Sequence, residues 1–327
     1  MSNAPTVSII TPSFRHRAYI ESTLQSVLQQ AGDFYLDHIV VDGGSQDGTP
    51  ELLADYEKKI LAGDLPAACR GIKFRWLSEK DNGQAHAINK GFRLAKGEII
   101  AWLNSDDLYA DRHVLARCVE HFQKNPDSHF LYGRGYGISM KSRVMREERY
   151  VVEFPIELLP EIDMILQPSS MWRREVYEKI GDLNENMHFA FDWEYWLRIR
   201  EHFKIDFIDS FLACNRLYEG TKTSSGGIKR KREIAKLLLE KGSFTERAIQ
   251  AYLATPLGPP DPQGQLASAQ VAALPGATDV QPYPTEIGRK WAIIRNVIRK
   301  FLAPAKKLEQ QFRQRRKRHL VRASTQA

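Results

Sequence analysis

Glu98-Ile-Ile-Ala-Trp-Leu-Asn-Ser-Asp-Asp107 joins an apolar run to a polar and acidic end. The run from Ile99 to Leu103 suits a buried strand. In an open α/β sheet, ligands bind beyond the carboxyl ends of the strands. Two adjacent carboxylates there, Asp106 and Asp107, make a hard oxygen site suited to Mg²⁺ or Mn²⁺, ions that commonly hold substrate phosphates. Asn, Ser and Asp are also preferred at helix starts, so Asn104–Asp107 reads equally as a helix cap.

Outward from this stretch, strand and helix patterns alternate four times. Thr6-Val-Ser-Ile-Ile-Thr-Pro12 reads as a strand followed by a helix over 18–30, and Asp37–Asp42 as a second strand. Thr49 is the expected N-cap and Pro50 the first position of a helix to about Leu61. Lys73–Ser78 is a third strand, and Gln84–Ala95 a helix with Ala85, Ile88 and Leu94 inward. Such alternation predicts an α/β fold, a mostly parallel sheet with helices on both faces. Further on, 130–154 reads as extended structure, with Gly133-Arg-Gly-Tyr-Gly137 as a turn. A strand from Ile165, helices at 174–180 and 192–202, a strand at 204–208 and a charged helix at 227–250 follow.

Composition is that of a soluble globular protein. No run of about 20 apolar residues occurs, so no membrane span is expected, and no secretory leader is legible. Three separated cysteines with no Cys-x-x-Cys pair argue against a zinc site or a disulfide framework and suit a reducing, cytoplasmic compartment. The net charge of +7 is uneven: residues 289–327 hold 13 Lys and Arg against Glu309, leaving the rest of the chain net acidic. The basic character therefore belongs to a tail.

No phosphate loop, zinc-protease helix or nucleophile elbow is present. What remains is acidic residues after successive strands: Asp42, Asp81, then Asp106 and Asp107. One such Asp is ordinary turn chemistry, but three strands delivering carboxylates to one sheet edge point to a site.

Four ordered segments then carry a resemblance: Val7–Phe14, Ile39-Val-Val-Asp-Gly-Gly-Ser-Gln-Asp-Gly-Thr49, Asp81-Asn-Gly-Gln-Ala-His-Ala-Ile-Asn-Lys-Gly91 and Trp102–Asp107. Together they resemble the family 2 glycosyltransferases, inverting enzymes of the GT-A fold that use nucleotide-sugar donors and a divalent metal, over about residues 5–220. The resemblance implies a Rossmann-like GT-A domain over 1–226. It places Pro12, Phe14 and Asp42 around a uracil-type base, Gly44 in the donor site, Asp81 and Gly83 near base and ribose, and Asn104 and Ser105 beside the nucleotide. Asp106 matches the last acid of the family's Asp-x-Asp motif and would hold Mn²⁺ or Mg²⁺ on the diphosphate, with Asp107 a second ligand or a cap. Asn104 stands where the motif has its first acid. Phe191-Asp-Trp-Glu-Tyr-Trp-Leu-Arg198 is similar to the family's acidic motif, making Asp192 the expected general base with Glu194 in reserve. Gln167, Trp172, Trp193 and Glu194 are expected on the acceptor side. Arg216-Leu-Tyr218 lies where many relatives have Arg-x-His, so a His ligand is missing, while Arg216 and Lys222 remain to pair with phosphate.

Beyond the resemblance, 227–252 reads as a helical extension and 253–288 as a Pro-, Gly- and Ala-rich linker. Residues 289–327 form a basic amphipathic tail, of which 289–320 suits an anionic membrane surface, as a lipid-linked acceptor would require. Nucleic acid is not expected as a partner. The function so read is sugar transfer from a nucleoside-diphosphate sugar to a saccharide or glycolipid hydroxyl. Nucleotidyl transfer and a degenerate membrane-bound scaffold are the alternatives.

Overall fold

The structure is a computed structural model that describes residues 4–161 and 163–241. The linker at 253–288, the tail at 289–327 and the end of the charged helix lie outside the described residues. The elements are β1 (Thr6–Ser13), α1 (Arg17–Leu28), β2 (Tyr35–Asp42), α2 (Thr49–Ala62), β3 (Gly71–Ser78), α3 (Gln84–Leu94), β4 (Ile99–Trp102), β5 (Leu108–Tyr109), α4 (Val114–Lys124), β6 (Phe130–Ile138), β7 (Val144–Glu147), β8 (Ser170–Arg173), α5 (Arg174–Ile180), α6 (Phe191–Arg200), β9 (Ile205–Arg216), α7 (Lys222–Ser225) and α8 (Gly227–Glu240).

One sheet runs β3-β2-β1-β4-β8-β6-β9-β5, with β7 beside β6. Strands β3, β2, β1 and β4 are parallel; β1, β2 and β4 are buried almost throughout, as suits parallel strands covered on both faces, while β3 at the edge buries only Phe74. The second half is mixed: β8 is antiparallel to β4 and β6, while β9 runs parallel to β6. Alternate residues feed two cores. Ile10, Ile39 and Val41 meet α3, α6 and α8, and Val7, Ile9 and Val40 meet α1, α2 and α4. The first of these cores is dense in aromatic rings: Trp102 stacks on Trp196 at 5.5 Å, and Phe130 on Trp172 at 5.8 Å. Such pairs add about 0.5–1.5 kcal/mol each beyond the area they bury.

Several expectations are revised. Gly133-Arg-Gly-Tyr-Gly137 lies inside β6 and is not a turn. A side chain at 133, 135 or 137 would collide with Leu212, Leu166 or Leu217. The glycines make room for those leucines, Leu212 in one core and Leu166 in the other. Helix α2 is capped by Gly48 at φ 89°, one residue earlier than expected, while Asp47 binds the N–H and hydroxyl of Thr49. Leu94 is exposed, because α3 ends there. The strand expected from Ile165 begins only at Ser170, after a 3₁₀ turn at Gln167–Ser169, and β9 runs eight residues past Ile208. The first residues of the expected helical extension, α8, bury Ile234, Ala235, Leu237 and Leu238 in the aromatic-rich core.

Candidate active site

Parallel register brings Ser13, Asp42 and Ser78 side by side at the carboxyl edge of β1, β2 and β3. Asp42 is fully buried there. Its carboxylate accepts the N–H groups of Gly44 (3.1 Å) and Ser45 (2.8 Å) and the hydroxyls of Ser45 and Ser78 (both 2.6 Å). A carboxylate met by four donors is firmly held. Asp42 therefore ties the loop after β2 to the end of β3. Pro12 is likewise buried at the end of β1, whereas Phe14 is 52% exposed beside that loop. Gly44 takes φ 80°, a left-handed conformation natural to glycine. Asp81 accepts the Gly83 N–H at 2.8 Å, closing the turn before α3.

At the end of β4, Asn104 is the centre of a chain of amides. Its Oδ1 accepts from Gln84 Nε2 (2.8 Å), and its Nδ2 donates to Gln167 Oε1 (3.0 Å) and Asp107 Oδ2 (3.2 Å). Gln167 in turn donates to the Trp102 carbonyl at 2.9 Å, so it serves this hub from inside the fold. Asp107 also accepts the Arg216 N–H at 3.0 Å. It is buried, and burial together with the charge of Asp106 pushes its carboxyl well above the ordinary range. Each Asp107 oxygen accepts a protein hydrogen bond, whereas half-buried Asp106 accepts the Tyr218 hydroxyl at one oxygen. Ser105 is buried, its hydroxyl 2.8 Å from His16 Nδ1.

Arg216 is also spent internally. Its guanidinium donates to the Asp106, Ser139 and Met140 carbonyls and to the Ser142 and Ser22 hydroxyls, and it lies 5.0 Å from the Tyr19 ring. It fixes the Asp106 loop, and the phosphate pairing expected of it has no free donor fork. Tyr218 is the residue that reaches the site: its hydroxyl donates to Asp106 Oδ2 at 2.9 Å. Burial and the neighbouring Asp106 charge push that phenol upward. Its position in Arg216-Leu-Tyr218 was the signal for it.

Asp192 occupies the first turn of α6, its Oδ1 accepting the Trp193 N–H at 2.8 Å. Burial raises its carboxyl, opposed by that N–H and by the charges of Arg230 and Lys222. Asp163, from the irregular segment before β8, is raised well above its ordinary range by burial and then by Asp192. Lys222 lies 5.0 Å from the Phe191 ring and donates to the His188 carbonyl at 2.7 Å. Burial pulls its ammonium down to about 8. Glu233 of α8 accepts the successive N–H groups of His188, Phe189 and Ala190 at 2.6–2.7 Å, holding the approach to α6. Neither Asp163 nor Glu233 had a local sequence signal, because both act from distant segments.

The structure gives the acceptor-side tryptophans to the core. Trp172 is completely buried, and Trp193 is 7% exposed with Nε1 on the Leu159 carbonyl. Glu194 is held by Arg198 at 2.9 and 3.0 Å, which takes it out of reserve as a base.

Among the described residues, no cluster of three or more His, Cys, Asp or Glu side chains is arranged to hold a metal ion. The fit that remains is a narrower one. Mg²⁺-type ions are often held by one or two carboxylates plus substrate phosphates and water, and half-buried Asp106 supplies one such carboxylate. No helix among the described residues is long and apolar enough to cross a membrane.

Comparison with known proteins agrees with this architecture. Residues 8–193 match the model of glycosyl transferase family 2. An uncharacterized glycosyltransferase of Mycobacterium tuberculosis is 30% identical over 202 residues, 61% of this chain and 70% of that protein. A putative teichuronic acid biosynthesis glycosyltransferase of Bacillus subtilis, TuaG, is 41% identical over 103 residues, 32% of this chain and 36% of that one. Among solved structures, S. aureus TarS 1-349 in complex with UDP-GlcNAc superposes with a TM-score of 0.55 at 20% identity, covering 76% of this chain and 71% of that one. This chain spans 42% of the longer TarS structure. The mannosyltransferase PcManGT from Pyrobaculum calidifontis, in complex with GDP-Man and Mn²⁺, gives 0.55 at 18% identity, covering 93% and 87%. The parallel strand edge, the Asn104–Asp106 turn and the acidic start of α6 are thus parts of a GT-A glycosyltransferase fold, and the chain belongs to glycosyltransferase family 2.

Proposed function

We propose that this protein transfers a sugar, with inversion, from a UDP-sugar to a hydroxyl of a saccharide or lipid-linked acceptor. The observation that carries the reading is the segment Arg216–Lys222. At one end Tyr218 touches Asp106, and at the other Lys222 flanks Phe191 and Asp192. A strand-end carboxylate and a buried carboxylate whose pKa is raised by burial are thereby joined by the five residues from Tyr218 to Lys222.

In this mechanism Asp192 accepts the proton of the acceptor hydroxyl as its oxygen forms a bond to the anomeric carbon. The bond from that carbon to the nucleoside diphosphate breaks on the opposite face. Burial makes Asp192 a better base, and Lys222 and Arg230 keep it ionisable. Asp106 would hold Mn²⁺ or Mg²⁺, which when bound neutralises charge on the departing diphosphate. Tyr218 orients that carboxylate, and Arg216 and Asp107 keep its loop in place. The ligands of the two structural neighbours, UDP-GlcNAc and GDP-Man with Mn²⁺, support a nucleotide-sugar donor, and the teichuronic acid relative supports an acceptor in envelope polysaccharide. The basic tail at 289–327 supports peripheral attachment to an anionic membrane surface.

The test is a screen of UDP-, GDP- and dTDP-sugars for nucleoside diphosphate release by the full chain, repeated with Asp192→Asn. Release from a UDP-sugar, abolished in the variant while nucleotide binding persists, is the expected result. Undiminished turnover by Asp192→Asn would remove that residue from the role.

A further inference from the structure

Strand β8 is antiparallel to both β4 and β6, so β6 runs in the direction of β4 and ends at the same sheet edge as Asp106. There the chain turns through 139–143 into β7. The turn puts apolar side chains into water: Met140 is 60% exposed and Val144 40%. Lys141 and Arg143, which alternate with them in Met140-Lys-Ser-Arg-Val144, are exposed as well. Neither cation's side chain has a partner among the described residues, and 139–145 contains no acid.

The backbone of this turn is held from beneath. Arg216, itself buried, donates to the Ser139 and Met140 carbonyls (both 2.9 Å) and to the Ser142 hydroxyl (3.1 Å). Ser142 takes φ 58°, a left-handed conformation uncommon outside glycine, and its bond to Arg216 helps to hold it there. The Ser139 N–H donates to the Arg143 carbonyl at 2.8 Å, and the Ser139 hydroxyl accepts the Arg143 N–H at 3.2 Å. The polar backbone is thus satisfied inward while the side chains of Met140, Lys141, Arg143 and Val144 stand outward. The same guanidinium donates to the Asp106 carbonyl at 2.7 Å, so the turn and the Asp106 loop are fixed to one group.

We propose that the turn between β6 and β7 is a membrane contact, with Met140 and Val144 entering the headgroup region of an anionic bilayer and Lys141 and Arg143 pairing with lipid phosphates. Two free cations alone would suit any polyanion. Exposed apolar side chains interleaved with them favour a lipid surface, where apolar burial and charge attraction act together. The contact is separate from the basic tail and does not depend on the sugar-transfer reading. Through Arg216 it turns the Asp106 edge of the sheet toward the bilayer.

An environment-sensitive fluorophore on Met140→Cys, in the full chain carrying Cys69→Ser, reads the turn apart from the tail. Leu61→Cys is the control: Leu61 is 82% exposed near the end of α2, whose 14 residues run about 21 Å away from the edge where the helix begins. On vesicles of mixed phosphatidylglycerol and phosphatidylcholine, the label at 140 should shift to the blue and the label at 61 should not. Neither should shift on phosphatidylcholine alone. In the unlabelled full chain, Lys141→Gln with Arg143→Gln should weaken sedimentation with the anionic vesicles by about tenfold or more, at roughly fivefold per cation, with Tm unchanged. No shift at 140 on vesicles that the full chain binds would assign binding to the tail and overturn the proposal. Equal shifts at 140 and 61, undiminished sedimentation of the double variant, or no binding to anionic vesicles would overturn it too. Retention on dextran sulfate with no shift on vesicles would make the turn a polyanion site instead.

Discussion

Restoring the acid that the family motif has at position 104 should harm this protein. Asn104 Nδ2 donates to Asp107 at 3.2 Å and to Gln167 at 3.0 Å. Asn104→Asp keeps the bond accepted from Gln84 but turns both donations into contacts between oxygens. Asp107 and Gln167 are 6% and 8% exposed, so neither recovers its loss from water. Rotating the Gln167 amide would only move the deficit to the Trp102 carbonyl that it now serves. A hydrogen bond to a neutral partner contributes about 1 kcal/mol, one to a charged partner about 1.5–3, so the variant should lose roughly 3 kcal/mol. For a domain of this size that corresponds to a fall in Tm of roughly 6–12 °C. Scanning calorimetry with a parallel urea titration measures both quantities. A variant as stable as the wild type, or one that gains Mn²⁺ affinity at no loss of stability, would refute the account of Asn104 as the neutral centre of an amide network.

Two further outcomes follow from neighbouring groups. Asp163→Asn imitates the protonated form that burial and Asp192 favour. Transfer should persist in it, unlike in Asp192→Asn, and loss of activity in the Asp163 variant alone would make Asp163 the base. Because the folded-state pKa of Asp163 is raised, its ionisation destabilises the wild type as pH climbs above the unfolded carboxylate value of about 4. The stability advantage of Asp163→Asn should therefore grow with pH, as read by melts from acid to neutral; a flat difference would contradict the burial argument. Tyr218→Phe removes the hydroxyl from Asp106. It should weaken Mn²⁺ binding in the presence of UDP by about 10- to 100-fold, as losses of ligand-orienting groups do, and an unchanged Mn²⁺ titration would show that the hydroxyl orients nothing.

The parallel half of the sheet was legible in the sequence because three of its four strands are buried almost throughout and its helices are amphipathic. Those are local patterns, readable in windows of a dozen residues. The strand-end position of Asp42, Asp81 and Asp106 followed from the same patterns, as did Asp192 at the start of a helix. What escaped was decided by residues distant in sequence. The three glycines of β6 look like turn residues until Leu166, Leu212 and Leu217 are seen against them. Trp172 and Trp193 look like sugar platforms until their burial is known. Above all, a carboxylate's type and place say nothing of its partners. Sequence alone determined that this chain delivers acids to one edge of an α/β sheet. Only the tertiary structure decided that Asp42 and Asp107 are turned into the protein while Asp106 and Asp81 keep exposure, because donors to Asp42, Asp106 and Asp107 come from loops and strands up to 112 residues away.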